Sequence, residues 1–186
     1  SSYETPGQTG LSHALEHMMF KGSEKLAPGE ASRILRELGA EENAFTSDDY
    51  TAYYQVLARD RLGVAFELEA DRLASLKLPA EEFKREIEVI KEERRQRTDD
   101  KPSALAYERF KAMAYPASGY HNPTIGWMAD LQRMQIDQLS DWYKAWYAPN
   151  NATLVVVGDV SVDEVKVLAE RYFGHIPRRS VPPARQ

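Results

Sequence analysis

The stretch from Thr9 to Gly22, TGLSHALEHMMFKG, decides how the rest of the chain is read. It contains His13, Glu16 and His17 in the pattern H-x-x-E-H. Gly7 and Gly10 precede it and Gly22 follows, so the spacing predicts a helix from about Leu11 to Phe20. Positions i and i+4 of a helix project from one face about 6 Å apart, so His13 and His17 can grip one ion together. Neutral imidazole suits Zn²⁺, and two such donors leave room for a third ligand and a water. Glu16 sits beside the pair and can face the water instead of the metal. The plain alternative is two helix-surface or core histidines with a solvated carboxylate. Leu15, Met18, Met19 and Phe20 make the helix apolar on most sides, which predicts burial. Two buried histidines and a buried carboxylate need partners, and a metal supplies one.

A third ligand must come from elsewhere, and the candidates lie in KREIEVIKEERR, residues 84–95. At about 100° per residue, Glu93 falls between Val89 and Ile90 on an apolar stripe, one double turn beyond Glu86. Glu92 falls on the polar side with Arg85, Glu88 and Gln96. A carboxylate in an apolar stripe is costly unless paired or metal-bound. Glu93 is therefore the expected ligand, with Glu86 placed to orient a ligating histidine. The alternative is two ordinary acids on a charged helix. His121 and His175 lie in loop-like segments beside Pro or Gly and are not expected to ligate.

Around these segments the chain reads as an ordinary folded protein. Its 186 residues suffice for a real core, as one domain or at most two small ones. The 24 Lys and Arg against 29 Asp and Glu leave a net charge of -5, with no global attraction for phosphate, so no nucleic-acid partner is expected. No apolar run approaches the length of about 20 residues that spans a bilayer. The absence of cysteine excludes disulfides, thiolate metal sites and a cysteine nucleophile. Helices are expected over Glu30–Gly39, Asp60–Leu76, from Pro79 through Arg97, and over Ser103–Ala114, Ile136–Tyr147 and Val162–Phe173. Residues 43–57 read as a β-hairpin turning at Ser47-Asp48-Asp49. ATLVVVGDV, residues 152–160, reads as a buried central strand sharing a sheet with that hairpin. Trp127, Trp142 and Trp146 are expected to pack between helices. The fold class is helix-rich α+β, an antiparallel β-sheet flanked by α-helices. The start at Ser1 and the Pro- and Arg-rich close suggest a piece of a longer protein, with one domain over 1–176 and the beginning of a linker over 177–186.

TGLSHALEHMMFKG followed by EVIKEERR resembles the pitrilysin/insulinase family of zinc metallopeptidases, which includes the mitochondrial processing peptidases. H-x-x-E-H is the inverted zinc-peptidase motif. In that family the third ligand is a Glu at the spacing that separates His17 from Glu93, 76 positions. Members also carry Asn-Ala-x-Thr on an edge strand that binds substrate backbone, matched here by Asn43, Ala44, Phe45 and Thr46 before SDDYTAYY. YHNPTIGWMADL, WYAPNNATLVVVGDV and YFGHIP extend the resemblance over nearly the whole chain.

The resemblance implies a catalytic N-terminal half whose first strands lie upstream of Ser1. It also implies a second, similar half, in the same chain or a partner subunit, that closes over the first; a homodimer is a further arrangement open to it. The activity implied is a zinc-dependent endopeptidase acting on extended peptides, with one zinc on His13, His17 and Glu93, Glu16 as general base, Glu86 behind a ligand, and Asn43 and Ala44 on the substrate. A non-catalytic partner subunit is the alternative, although such subunits typically lose motif residues. S-ribosylhomocysteine lyase, which shares the motif, needs a cysteine ligand that this chain lacks. The motif segments look bacterial and favour the periplasm over the cytoplasm.

Overall fold

The computed structural model describes residues 1–183. The last three residues of the expected linker, 184–186, lie outside the described residues. The chain runs α1 (Leu11–Met18), α2 (Glu30–Glu37), β1 (Glu41–Thr46), β2 (Thr51–Val56), α3 (Leu62–Ser75), α4 (Ala80–Arg94), α5 (Pro102–Ala114), α6 (Met128–Leu131), α7 (Ile136–Trp146) and α8 (Val162–Phe173). It is a mixed helix-and-sheet fold. The expected α-helices appear within a few residues of their predicted bounds.

The sheet is the antiparallel pair β1–β2, with Asn43 opposite Tyr54 and Thr46 opposite Thr51. Alternation along β1 turns Glu42, Ala44 and Thr46 inward and leaves Glu41, Asn43 and Phe45 exposed. The inward face lies against α1 and α2.

Helix α1 is the centre of the molecule. Leu11, Ala14 and Met18 join Phe83 and Ile90 of α4, Leu131 of α6 and Leu139 of α7 in one core cluster. Leu15 and Met19, toward the other side, pack with Tyr143. A helix apolar on most sides has nowhere to go but the interior, and burying each of its large side chains contributes about 1.5–3 kcal/mol.

The start of α1 has no side-chain cap of its own, because Gly10 occupies the N-cap with φ 87°. Glu4 caps it from upstream: its two carboxylate oxygens accept from the backbone N–H groups of Gly10 and Ser12, each at 2.7 Å. Glycine is required at position 10 on two counts. The φ is left-handed, and a Cβ would meet the Ile125 carbonyl oxygen at 2.7 Å. Gly126, at φ 89°, faces it in the same close contact. The two backbones are locked by Thr9, whose hydroxyl donates to Asp130 (2.7 Å) and accepts from the Trp127 N–H (2.9 Å).

Residues 152–160 do not form the expected strand. They run without ladder partners among the described residues, and Val157 is 92% exposed. Apolar periodicity marks a segment able to pair and does not say with what; β1 and β2 bond only each other, and residues 152–160 join neither of their outer edges.

Candidate metal centre and its surroundings

The rigid contact of α1 with α4 places the candidate ligands. His13 and His17 stack edge to face on α1, ring centroids 4.7 Å apart. Glu93, near the C-terminal end of α4, points one carboxylate oxygen, Oε2, between them. That oxygen is 3.6 Å from His13 Nε2 and 3.4 Å from His17 Nε2. The three residues offer ligand atoms all within 4.8 Å of one another, and they are the group among the described residues able to hold a metal. Two imidazole nitrogens and a carboxylate are a donor set that suits zinc.

The other ring nitrogen of His17, Nδ1, lies 3.1 Å from Glu86 Oε2. Glu86 in turn pairs through Oε1 with Lys21 Nζ at 2.6 Å. Glu86 thus fixes the His17 ring with Nε2 turned inward, and Lys21 fixes Glu86. The outer oxygen of Glu93 is held by Arg97 at 2.5 Å.

The electrostatics favour a cation at this point. Burial, with the neighbouring His17, pushes His13 down to about 4, so its ring is neutral and ready to ligate. Burial opposes charge on His17 too, but hydrogen bonds to Glu86 and Glu93 outweigh it and raise His17 to about 9. Hydrogen bonding to His17 holds both carboxylates below their usual range. The Glu93 carboxylate between the two Nε2 atoms draws positive charge to a spot that a divalent ion would fill more completely than a proton.

Glu16 is 8% exposed and lies on the side of α1 that faces the hairpin. Its Oε2 accepts a hydrogen bond from the Thr46 hydroxyl of β1. Burial raises its carboxyl above the ordinary value, while the Thr46 bond works the other way.

The structure therefore brings His13, His17, Glu93 and Glu86 together, with Glu16 alongside. Glu92 points away, ion-paired with Arg95 and accepting a hydrogen bond from the Gln96 amide. The apolar stripe used to place Glu93 is narrower than the sequence suggests, since Val89 is 49% exposed; the shared inward face is Glu86, Ile90 and Glu93. Asn43 is not drawn into the cluster: it stands on the exposed face of β1, its Oδ1 accepting from the Ala44 N–H at 2.8 Å. Ala44 is half-buried on the inner face. His121 bonds the Ser118 carbonyl at 2.6 Å, His175 is exposed, and neither joins the metal group. Trp142 packs on the core, as expected. Sequence reasoning missed Lys21, Thr46 and Arg97 as parts of the site. Lys21 carried a usable signal, lying one turn beyond His17. Thr46 carried none beyond its place in NAFT, because its contact with Glu16 exists only after the hairpin folds onto α1.

Residues 1–126 match the family model described as Insulinase (Peptidase family M16), and residues 133–186 match the model described as the Peptidase M16 inactive domain. The chain is 38% identical over 173 residues to the zinc protease PqqE of Helicobacter pylori, covering 93% of this chain and 39% of that protein. A protease crystal structure from Helicobacter pylori superposes with a TM-score of 0.95 at 35% identity, over 98% of this chain and 45% of that one. The first half of the periplasmic protease PqqL from Escherichia coli shares the fold at TM-score 0.89 and 24% identity, over 100% of this chain and 41% of that one. The chain thus spans less than half the length of these relatives.

Proposed function

This chain belongs to the insulinase family, peptidase family M16, and from that membership we propose that it is the catalytic half of a zinc-dependent endopeptidase cleaving extended peptides. The observation that carries the reading is the convergence of His13 Nε2 and His17 Nε2 on one oxygen of Glu93, with the Glu16 carboxylate beside them. Bound zinc would polarise the scissile carbonyl and acidify water.

The rest of the chemistry belongs to the chain. Glu16 takes the proton of the attacking water and returns it to the leaving amine, a role favoured by its raised pKa, for which burial is the largest cause. Glu86, braced by Lys21, keeps the His17 ring in one orientation. Asn43 and Ala44 on β1 hold the substrate backbone, as the family motif implies, with the peptide aligned as an added strand. A second homologous half, in the same chain or a partner subunit, supplies the opposing wall; a homodimer would meet the same need. The domain occupies 1–176, and 177–186 begins the connection onward. The bacterial character of the motif segments favours the periplasm over the cytoplasm. No described helix is long and apolar enough to cross a membrane. The competing reading, a non-catalytic partner subunit, is disfavoured because such subunits typically lose motif residues and His13, Glu16, His17 and Glu93 are all present.

The test is cleavage of a fluorogenic peptide by the full-length protein, before and after chelation and after zinc is restored. Turnover should vanish with the metal and return with it. Equal turnover in the chelated protein would refute the reading.

A further inference from the structure

Glu16 is held from behind by a line of hydroxyl groups. The Thr46 hydroxyl is bonded to Glu16 Oε2, and Thr46 Oγ1 lies 3.2 Å from Thr51 Oγ1, its cross-strand neighbour. An ionised carboxylate only accepts, and a threonine hydroxyl has one proton to give. The direction is therefore fixed: Thr46 donates to Glu16, and Thr51 donates to Thr46. Deeper in, the Tyr53 and Tyr147 hydroxyls are 2.7 Å apart. The Tyr53 ring lies under the Arg72 guanidinium at 4.9 Å, and Arg72 is paired with Glu69.

We propose that Thr46, backed by Thr51, is a positioning residue for the general base: its hydroxyl fixes the Glu16 carboxylate in the orientation that receives the water proton. This rests on the peptidase reading above. It gives the β1–β2 hairpin a second task besides presenting an edge to substrate. The two inward threonines hold the base while the outward side chains of the same strands remain free. Hydroxyls donating in series strengthen one another in a buried setting, so the last bond, onto Glu16, is the most firmly directed.

The test is made on the zinc-loaded full-length protein. Thr46→Val removes the hydroxyl with little change of shape and keeps strand propensity. We expect kcat to fall about 10–100-fold, the usual effect of removing an outer partner, with KM changed less than about twofold and zinc content unaltered. Thr46→Ser should recover most of the loss. In a Glu16→Asp background, where residual turnover stays measurable, Thr46→Val should cost much less than in the wild type, because the shorter carboxylate no longer reaches the hydroxyl. A crystal structure of Thr46→Val should show the Glu16 carboxylate moved off β1. Wild-type kcat in Thr46→Val overturns the proposal, as does a Thr46→Ser enzyme no better than the valine variant. A full additional loss in the Glu16→Asp background also overturns it. Glu16→Gln separates the two levels. If that variant is inactive while Thr46→Val is fully active, only the positioning role falls. If Glu16→Gln keeps wild-type kcat, the base assignment falls and the positioning role with it.

Discussion

His17 carries two bonds on one ring: Nδ1 to Glu86 and Nε2 toward Glu93. That division separates the proposed metal ligand Glu93 from Glu86, the residue proposed to aim a ligand. Glu86→Gln keeps a polar partner but weakens the hold on Nδ1, and zinc affinity should drop by about 10–100-fold. Glu92→Gln, on the solvent side, should leave affinity unchanged; competition against a fluorescent zinc chelator measures both. Glu16 differs in kind from all of these. Glu16→Gln removes a proton acceptor and no ligand, so kcat should fall by about 10²–10⁴-fold while zinc content stays at the wild-type level. Steady-state kinetics with metal analysis on the same sample would read both quantities.

Between elements, the site depends on α4 keeping its register against α1. Arg94, the residue after Glu93, is 4% exposed and forms two hydrogen bonds to Glu108 of α5, at 2.8 and 2.9 Å. It also donates to the Gly126 carbonyl at 3.0 Å, next to the close contact with Gly10 at the start of α1. One side chain therefore ties the ends of α1 and α4, which carry the candidate ligands, to α5. Arg94→Met would strand the buried Glu108 carboxylate, and stability should fall by about 3–5 kcal/mol, measured by urea unfolding. The same scale shows what was legible beforehand. Helix α1 announced itself because its apolar residues and its histidines share one local period. Glu93 was reachable because a carboxylate on an inward helix face stands out from its neighbours. The hairpin was legible from β-rich runs around a turn. What a single segment does not encode is its partner: Glu4 capping α1, Arg94 bridging to Glu108, and Thr46 meeting Glu16 are all contacts across the chain. Residues 152–160 failed for the same reason, since an apolar run specifies the ability to pair and not the strand it pairs with.

For the whole molecule, metal binding and turnover have different requirements. The proposed binding needs three side chains on two helices packed through a shared core. Turnover also needs a peptide held in register and water excluded as charge develops on the carbonyl oxygen. Residues 1–186 alone should therefore bind zinc yet cleave a fluorogenic peptide at a small fraction of the full-length rate, with activity restored by the remaining residues in the same chain or by a partner subunit. Comparable rates for the two would show that this chain supplies the whole site. The central claim, that His13, His17 and Glu93 together hold zinc, is tested most directly by the zinc content of the purified protein and of its His17→Ala variant, after equal exposure to zinc and removal of the excess. The account predicts about one zinc per chain in the wild type and a small fraction of that in His17→Ala, because one of three protein ligands is gone. Stoichiometric zinc retained by His17→Ala would contradict it.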